Sequence, residues 1–173
     1  MHYLFREQAQ EKLVVAHDND QHLFQVVASF FVRLDLQHRF DFDVETFSSF
    51  MKAVHQAMTM HHNPYHNFFH ICDVTQGVFV LLTKIHAAKF LNLLETLGLV
   101  VAAICHDLEH PGFNNAYLIN TCHPLAMLYN DQSVLENHHC ACAFRILLAP
   151  GSNIFASLSD AQYREAMETH FKD

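Results

Sequence analysis

Apolar residues in this chain recur at three- and four-residue steps in segment after segment, a spacing that fits packed helices and little else. Leu23, Val26, Val27, Phe30, Phe31 and Leu34 predict one helix over residues 22–37. Asp43, a good N-cap, opens a second, with Val44, Phe47, Phe50, Met51, Val54 and Met58 as its core stripe. The residue before a proline is pushed out of helical geometry, so that helix ends in the run Met60 to Pro64. A third starts near Asn63 to His66 and runs through Phe69, Val74, Val78, Leu81 and Leu82. A fourth covers Leu91 to Cys105 and stops at the bend His110-Pro111-Gly112, with Asn114-Asn115 a further turn-prone pair. Ser133 and Glu136, in capping-box spacing, open another from Ser133 to Leu148. The tail over 166–173 reads as helical but has no capping glycine or proline, which reads as a chain cut short. Four Gly and four Pro leave little turn chemistry for a strand-rich fold, so the expected class is all-α, a multi-helix bundle.

With 173 residues, 51% of them apolar, the chain can bury one core, and no repeat or linker-like stretch divides it. One unit, or one fragment of a larger unit, is expected. The 10 basic against 18 acidic residues give a formal charge of −8, which argues against a nucleic acid partner. Sixteen histidines qualify that charge, because bound divalent metals invert the local field for a small anionic ligand. The five cysteines, Cys72, Cys105, Cys122, Cys140 and Cys142, are odd in number and scattered through apolar stretches, which fits a reducing compartment. The start, Met1 to Glu7, lacks a basic segment followed by an apolar core, and no apolar run has the length of a membrane span. A soluble, cytoplasmic domain is the expectation.

Three elements carry chemistry. In Pro64-Tyr65-His66-Asn67-Phe68-Phe69-His70 the two histidines stand four apart, so a helix or its first turn can bring both rings to one face. Among so many histidines such a pair is a weak signal by itself. In Ile104-Cys105-His106-Asp107-Leu108-Glu109-His110 an apolar helix runs straight into His-Asp. A carboxylate buried there costs several kcal/mol without a partner or cation, which points to metal ligation more than to a turn-capping aspartate. The third element runs from Tyr129-Asn130-Asp131 through Ser133-Val134-Leu135-Glu136-Asn137-His138-His139. His138, His139, Cys140 and Cys142 could form a separate zinc site, but consecutive helical residues diverge around the axis and do not easily share one ion.

Taken together, the run His62 to His70 with Asp73-Val74, the run His106 to Gly112 with Asn115, and the run Leu128 to His139 resemble the class I 3',5'-cyclic nucleotide phosphodiesterases, in order and in spacing. The likeness extends from about Phe40 to about Tyr163, with its core motifs over 62–139, and makes residues 1–173 a single, partial catalytic domain related to the HD-domain bundles. It implies that His70, His106 and Asp107 hold Zn2+ and that Asp107 also reaches Mg2+ or Mn2+. His110 and Glu136 would orient water on the second metal, and Tyr65 and Asn115 would line or support the pocket. His66 would be the general acid that protonates the leaving 3'-oxygen after attack by a metal-activated water. The implied substrate is a small cyclic nucleotide, cAMP or cGMP, and a homodimer is compatible with the resemblance.

The chain departs from the family in two respects. The family domain is about twice this length, and its later half supplies a further aspartate ligand, the purine-gripping glutamine and an aromatic clamp. Of the later aspartates, Asp131, Asp160 and Asp173, none falls in the matching context. Glu109 stands where most members have aspartate, as in the calcium and calmodulin regulated branch, while Asn114-Asn115 and Cys140 look more like the cGMP-preferring type-nine branch. Two alternatives stand beside this reading: an HD-superfamily phosphohydrolase acting on another nucleotide, and a truncated, non-catalytic fragment that serves as an interaction or metal-binding module.

Overall fold

The computed structural model describes residues 18–170, so the readings made on Met1 to Glu7 and on 171–173 lie outside the described residues. Its elements are α1 (Asp18–Arg33), α2 (Leu36–Arg39), α3 (Val44–Thr59), α4 (Phe68–Thr83), a 3-10 turn (Ala87–Phe90), α5 (Leu93–Cys105), α6 (Asn115–Asn120), α7 (Pro124–Leu128), α8 (Val134–Leu148) and α9 (Asp160–His170). No strand occurs among the described residues, and the all-α expectation holds.

Helix α5 is the central rod. Leu97, Val100, Val101 and Ile104 are buried on it, and it packs between α4 and α9 and against α8. Its start is fixed locally: Asn92 Oδ1 accepts from the Glu95 amide at 2.9 Å and Glu95 Oε2 accepts from the Asn92 amide at 2.6 Å, a complete capping box. The other end of the core is aromatic, with Phe24, Phe31, Phe47, Phe50, Phe68 and Phe155 all fully buried. A smaller cluster of Leu118, Ala126, Val134 and Leu135 seats α6 and α7 on the start of α8.

Helix α3 forms as the sequence predicts. Asp43 Oδ1 accepts from the Thr46 amide at 2.7 Å, and all six members of the expected stripe are buried. The first predicted helix is broken instead: α1 stops at Arg33 and Asp35 takes a left-handed φ of 59°, which redirects the chain so that Leu36 reaches the core. Helix α4 begins at Phe68 rather than at 63–66, because the Asn67 side chain caps the Phe69 and His70 amides. Its buried face is Phe68, Ile71, Cys72, Thr75, Phe79 and Leu82. Phe69 and Leu81, assigned to the core stripe from spacing, are exposed, since a helix apolar almost all round gives periodicity no single face to select. Ser133 does not close a capping box: it sits at φ 38° with no side-chain cap bond, and α8 is capped from another element. Asn114, read as part of a turn, is the N-cap of α6, its Oδ1 accepting from the Tyr117 amide at 2.9 Å.

Candidate metal centre

His106 closes the C-terminal end of α5 and Asp107 follows it into the loop, so the apolar rod delivers both side chains to one place. Leu108 beside them is fully buried and anchors the loop. His70 comes from the first turn of α4. Three donor atoms, two from adjacent residues and one from 36 positions earlier, form a nearly equilateral triangle: His70 Nε2 to His106 Nε2 is 3.2 Å, His70 Nε2 to Asp107 Oδ2 is 3.1 Å, and His106 Nε2 to Asp107 Oδ2 is 3.2 Å. Nitrogen and oxygen ligands at the corners of a tetrahedral zinc stand about 3.3 Å apart, given bond lengths near 2.0–2.1 Å. The triangle therefore fits one small divalent cation with its other positions open.

The surrounding hydrogen bonds fix which ring nitrogens carry protons. A carbonyl can only accept, so His106 Nδ1–H donates to Ala103 O (2.8 Å), and Nε2 is the nitrogen that faces the triangle and the one that would give up its proton to a bound cation. His139 does the same: Nδ1–H donates to Leu108 O at 2.7 Å, and Nε2 faces Asp107 Oδ1 at 3.8 Å. His110 is reversed, because its Nδ1 accepts the Gly112 amide at 2.9 Å. The neutral His110 ring thus carries its proton on Nε2 and is a donor, suited to orient a water rather than to ligate. Asp107, His110 and His139 converge on a second position, where His110 contributes an N–H for a water, and Asp107 belongs to both groups.

Electrostatics follow from the crowding. Burial would raise the Asp107 carboxyl, but the hydrogen bond and charge of His106, with His139 and His66, hold it down at about 2. Burial lowers the His110 ring, and the neighbouring His66 lowers it further, to about 4. His66 itself lies in the turn before α4, where Asn63 Oδ1 accepts both the Tyr65 and His66 amides at 3.1 Å. Its ring stacks on His110 (centroids 3.7 Å, 11° between planes), and its Nε2 lies 3.9 Å from Asp107 Oδ2, outside the triangle.

The combined run of motifs, their order and this geometry can be compared with known proteins. The sequence model of the family "3'5'-cyclic nucleotide phosphodiesterase" matches residues 65–172. The chain belongs to that family. The 3',5'-cyclic-nucleotide phosphodiesterase regA of Dictyostelium discoideum is 39% identical over 147 residues, covering 85% of this chain and 18% of that protein. The mouse dual specificity calcium/calmodulin-dependent 3',5'-cyclic nucleotide phosphodiesterase 1C is 42% identical over 134 residues (77% of this chain, 19% of that one). The mouse high affinity cGMP-specific 3',5'-cyclic phosphodiesterase 9A is also 42% identical, over 132 residues (76% and 24%). The crystal structure of the phosphodiesterase domain of the RhoPDE fusion protein from Salpingoeca rosetta superposes with a TM-score of 0.83 at 33% identity, over 92% of this chain and 49% of that one. The chain thus spans under a quarter of the length of these curated relatives and about half of that crystallised domain.

Of the phosphodiesterase residues expected from sequence, His66, His70, His106, Asp107 and His110 come together around one carboxylate. Asn115 and Glu136 pair with each other, Asn115 Nδ2 donating to Glu136 Oε2 at 2.9 Å while Asn115 Oδ1 caps the Leu135 amide at 2.9 Å. Glu136 reaches the same neighbourhood by lining, with His106 and His139, a cavity of about 400 Å³ walled by Val74, Val78, Leu99, Ala102 and Cys140. Tyr65 is exposed at the edge, its ring 4.9 Å from those of both His66 and His70. From sequence His139 enters only the disfavoured zinc grouping with His138, Cys140 and Cys142, yet its buried ring faces Asp107. The signal was available, since Leu135, His139 and Cys142 share the buried stripe of α8 at helical spacing.

Proposed function

We propose that this protein hydrolyses 3',5'-cyclic nucleotides to 5'-nucleoside monophosphates, as part of a phosphodiesterase catalytic domain working in the cytoplasm. The observation that carries the reading is the triangle of His70, His106 and Asp107 with His66 held just outside it. Family membership supplies the substrate class, and the relatives, one named dual specificity and one cGMP-specific, support a reading that keeps both cAMP and cGMP as substrates.

In this mechanism His70, His106 and Asp107 would hold Zn2+, and Asp107 would also serve Mg2+ or Mn2+, with His110, His139 and Glu136 beside it. When bound, such a pair supplies Lewis acidity toward the phosphate and lowers the pKa of an attacking water. The rest falls to the chain. Asp107, kept ionised by its histidine neighbours, turns Oδ2 to His70 and His106 and Oδ1 toward His139. His110 Nε2–H orients water, and Asn115 holds the Glu136 carboxylate by its amide. His66, close to the metals without being a ligand, donates a proton to the departing ribose 3'-oxygen, and its stacking on His110 fixes the ring for that transfer. The apolar walls of the adjoining cavity exclude water from one side. The cytoplasm suits five free cysteines, three of them buried.

The test measures bound zinc and the hydrolysis of cAMP and cGMP with Mg2+ in the purified protein and two variants. Asp107→Ala should lose both metal and turnover. His66→Gln should retain metal and slow the chemical step by roughly 10²–10⁴-fold, the usual reach of general acid catalysis. An Asp107→Ala protein with normal zinc and turnover would refute the assignment.

A further inference from the structure

The two adjacent histidines of α8 diverge, and they serve different clusters. His139 turns inward to Asp107. His138 turns onto Glu109 and Cys142: its Nε2 is 3.2 Å from Glu109 Oε2 and 3.6 Å from Cys142 Sγ. His138 and Cys142, four apart on one helix, share a face, and Glu109 approaches from the loop that follows α5. The side chains are well covered, at 12% exposure for His138 and 22% for Glu109, and Cys142 is buried. In a tetrahedral zinc site the nitrogen-to-oxygen edge is about 3.4 Å and the sulfur-to-nitrogen edge about 3.6 Å, from bond lengths of about 2.3 Å to sulfur and 2.0–2.2 Å to nitrogen and oxygen. The two distances here already stand close to those edges.

We propose that Glu109, His138 and Cys142 form a further divalent-metal site, separate from the Asp107 centre and selective for zinc-like ions. Its donors are of three kinds, carboxylate oxygen, imidazole nitrogen and sulfur, a set that suits a borderline-soft ion and not Mg2+ or Ca2+. The Asp107 centre has no sulfur donor. Arg145 completes the arrangement from outside: its Nη2 donates to Glu109 Oε1 at 2.8 Å and to Cys142 Sγ at 2.9 Å. The guanidinium therefore uses the carboxylate oxygen that faces away from His138, leaves Oε2 for the ion, and offsets the second negative charge of a thiolate-carboxylate pair. Arg145 is 63% exposed and has room to yield as an ion enters. Without metal, burial and the neighbouring Glu109 push the Cys142 thiol up to about 12, so binding releases one proton from sulfur to solvent and tightens as pH rises. The bound ion would clamp the loop carrying Asp107 and His110, which flank Glu109, to α8.

Cobalt distinguishes the two sites, because a thiolate-to-Co2+ charge-transfer band in the near ultraviolet requires a sulfur ligand. Titrating Co2+ into the metal-free protein should give such a band, rising to the intensity of one thiolate ligand per chain while the Asp107 centre fills without adding to it. Cys142→Ser should abolish it with unchanged helical circular dichroism, and Asp107→Ala should keep it. Should Cys142→Ser fail to fold, Glu109→Gln is read instead and should weaken cobalt binding in that band at least tenfold. Absence of the band in the folded parent protein, its survival in Cys142→Ser, its loss in Asp107→Ala, or unchanged affinity in Glu109→Gln would each overturn the proposal.

Discussion

Asn115 caps a helix it does not belong to, and removing its side chain separates that arrangement from the one sequence spacing suggests. In Asn115→Ala the Leu135 amide, on a residue that is buried, loses its acceptor at 2.9 Å. Leaving such a donor unpaired, or losing a cap, costs about 1–2 kcal/mol. The second bond, to Glu136, is exposed and adds a few tenths of a kcal/mol at most. Alanine at the first position of α6 returns about 0.5 kcal/mol of helix propensity. The net loss is about 0.5–1.8 kcal/mol, which for a chain of this size lowers Tm by roughly 1–7 °C. Ser133→Ala should change stability by less than about 0.5 kcal/mol, because Ser133 makes no cap bond. Urea and thermal unfolding of both variants, followed by circular dichroism, read the comparison. A Ser133→Ala loss near 1 kcal/mol beside a neutral Asn115→Ala would refute the cross-helix cap and restore the local capping box.

Further outcomes test the packing and the electrostatics. Ile104→Ala, at a fully buried position next to the His106-Asp107 turn, should cost about 2–5 kcal/mol in urea unfolding, as deletion of buried methylenes does. Gly112→Ala combines a φ of 88° with a new Cβ 3.2 Å from Asn63 Nδ2, the residue that holds the His66 turn, so zinc should stay bound while cyclic nucleotide turnover falls. The ring of His110, held at about 4 in the folded metal-free protein against about 6.5 unfolded, takes up its proton more readily when unfolded. Stability from this group is complete above about pH 6.5 and is lost as pH falls toward 4, and His138 and His139, lowered first by burial, act in the same sense. The urea midpoint should therefore drop between pH 7 and 5, and drop less in His110→Gln. An equal slope in the variant would assign the dependence to other groups.

Sequence alone determined whatever depends on neighbours one helical turn apart. The stripe of α3, the Asp43 cap and the all-α class follow from period and cap chemistry, because those interactions close within three or four residues. The order and spacing of the histidine and carboxylate runs were legible too, and with them the family. Tertiary structure decided what those residues do to one another. Which faces of α4 are buried, that Asn115 rather than Ser133 caps α8, and that Glu136 is free of a capping box all turn on which helices meet. The candidate centre is the clearest case. His70 and His106 are 36 residues apart, and their nitrogens meet at 3.2 Å only because α4 packs along α5 and ends its first turn beside the last turn of that rod. The tautomers of His106, His110 and His139 were set by backbone groups of Ala103, Gly112 and Leu108, which no spacing rule reveals. Helical period marks which side chains leave an axis together; packing alone decides what they face.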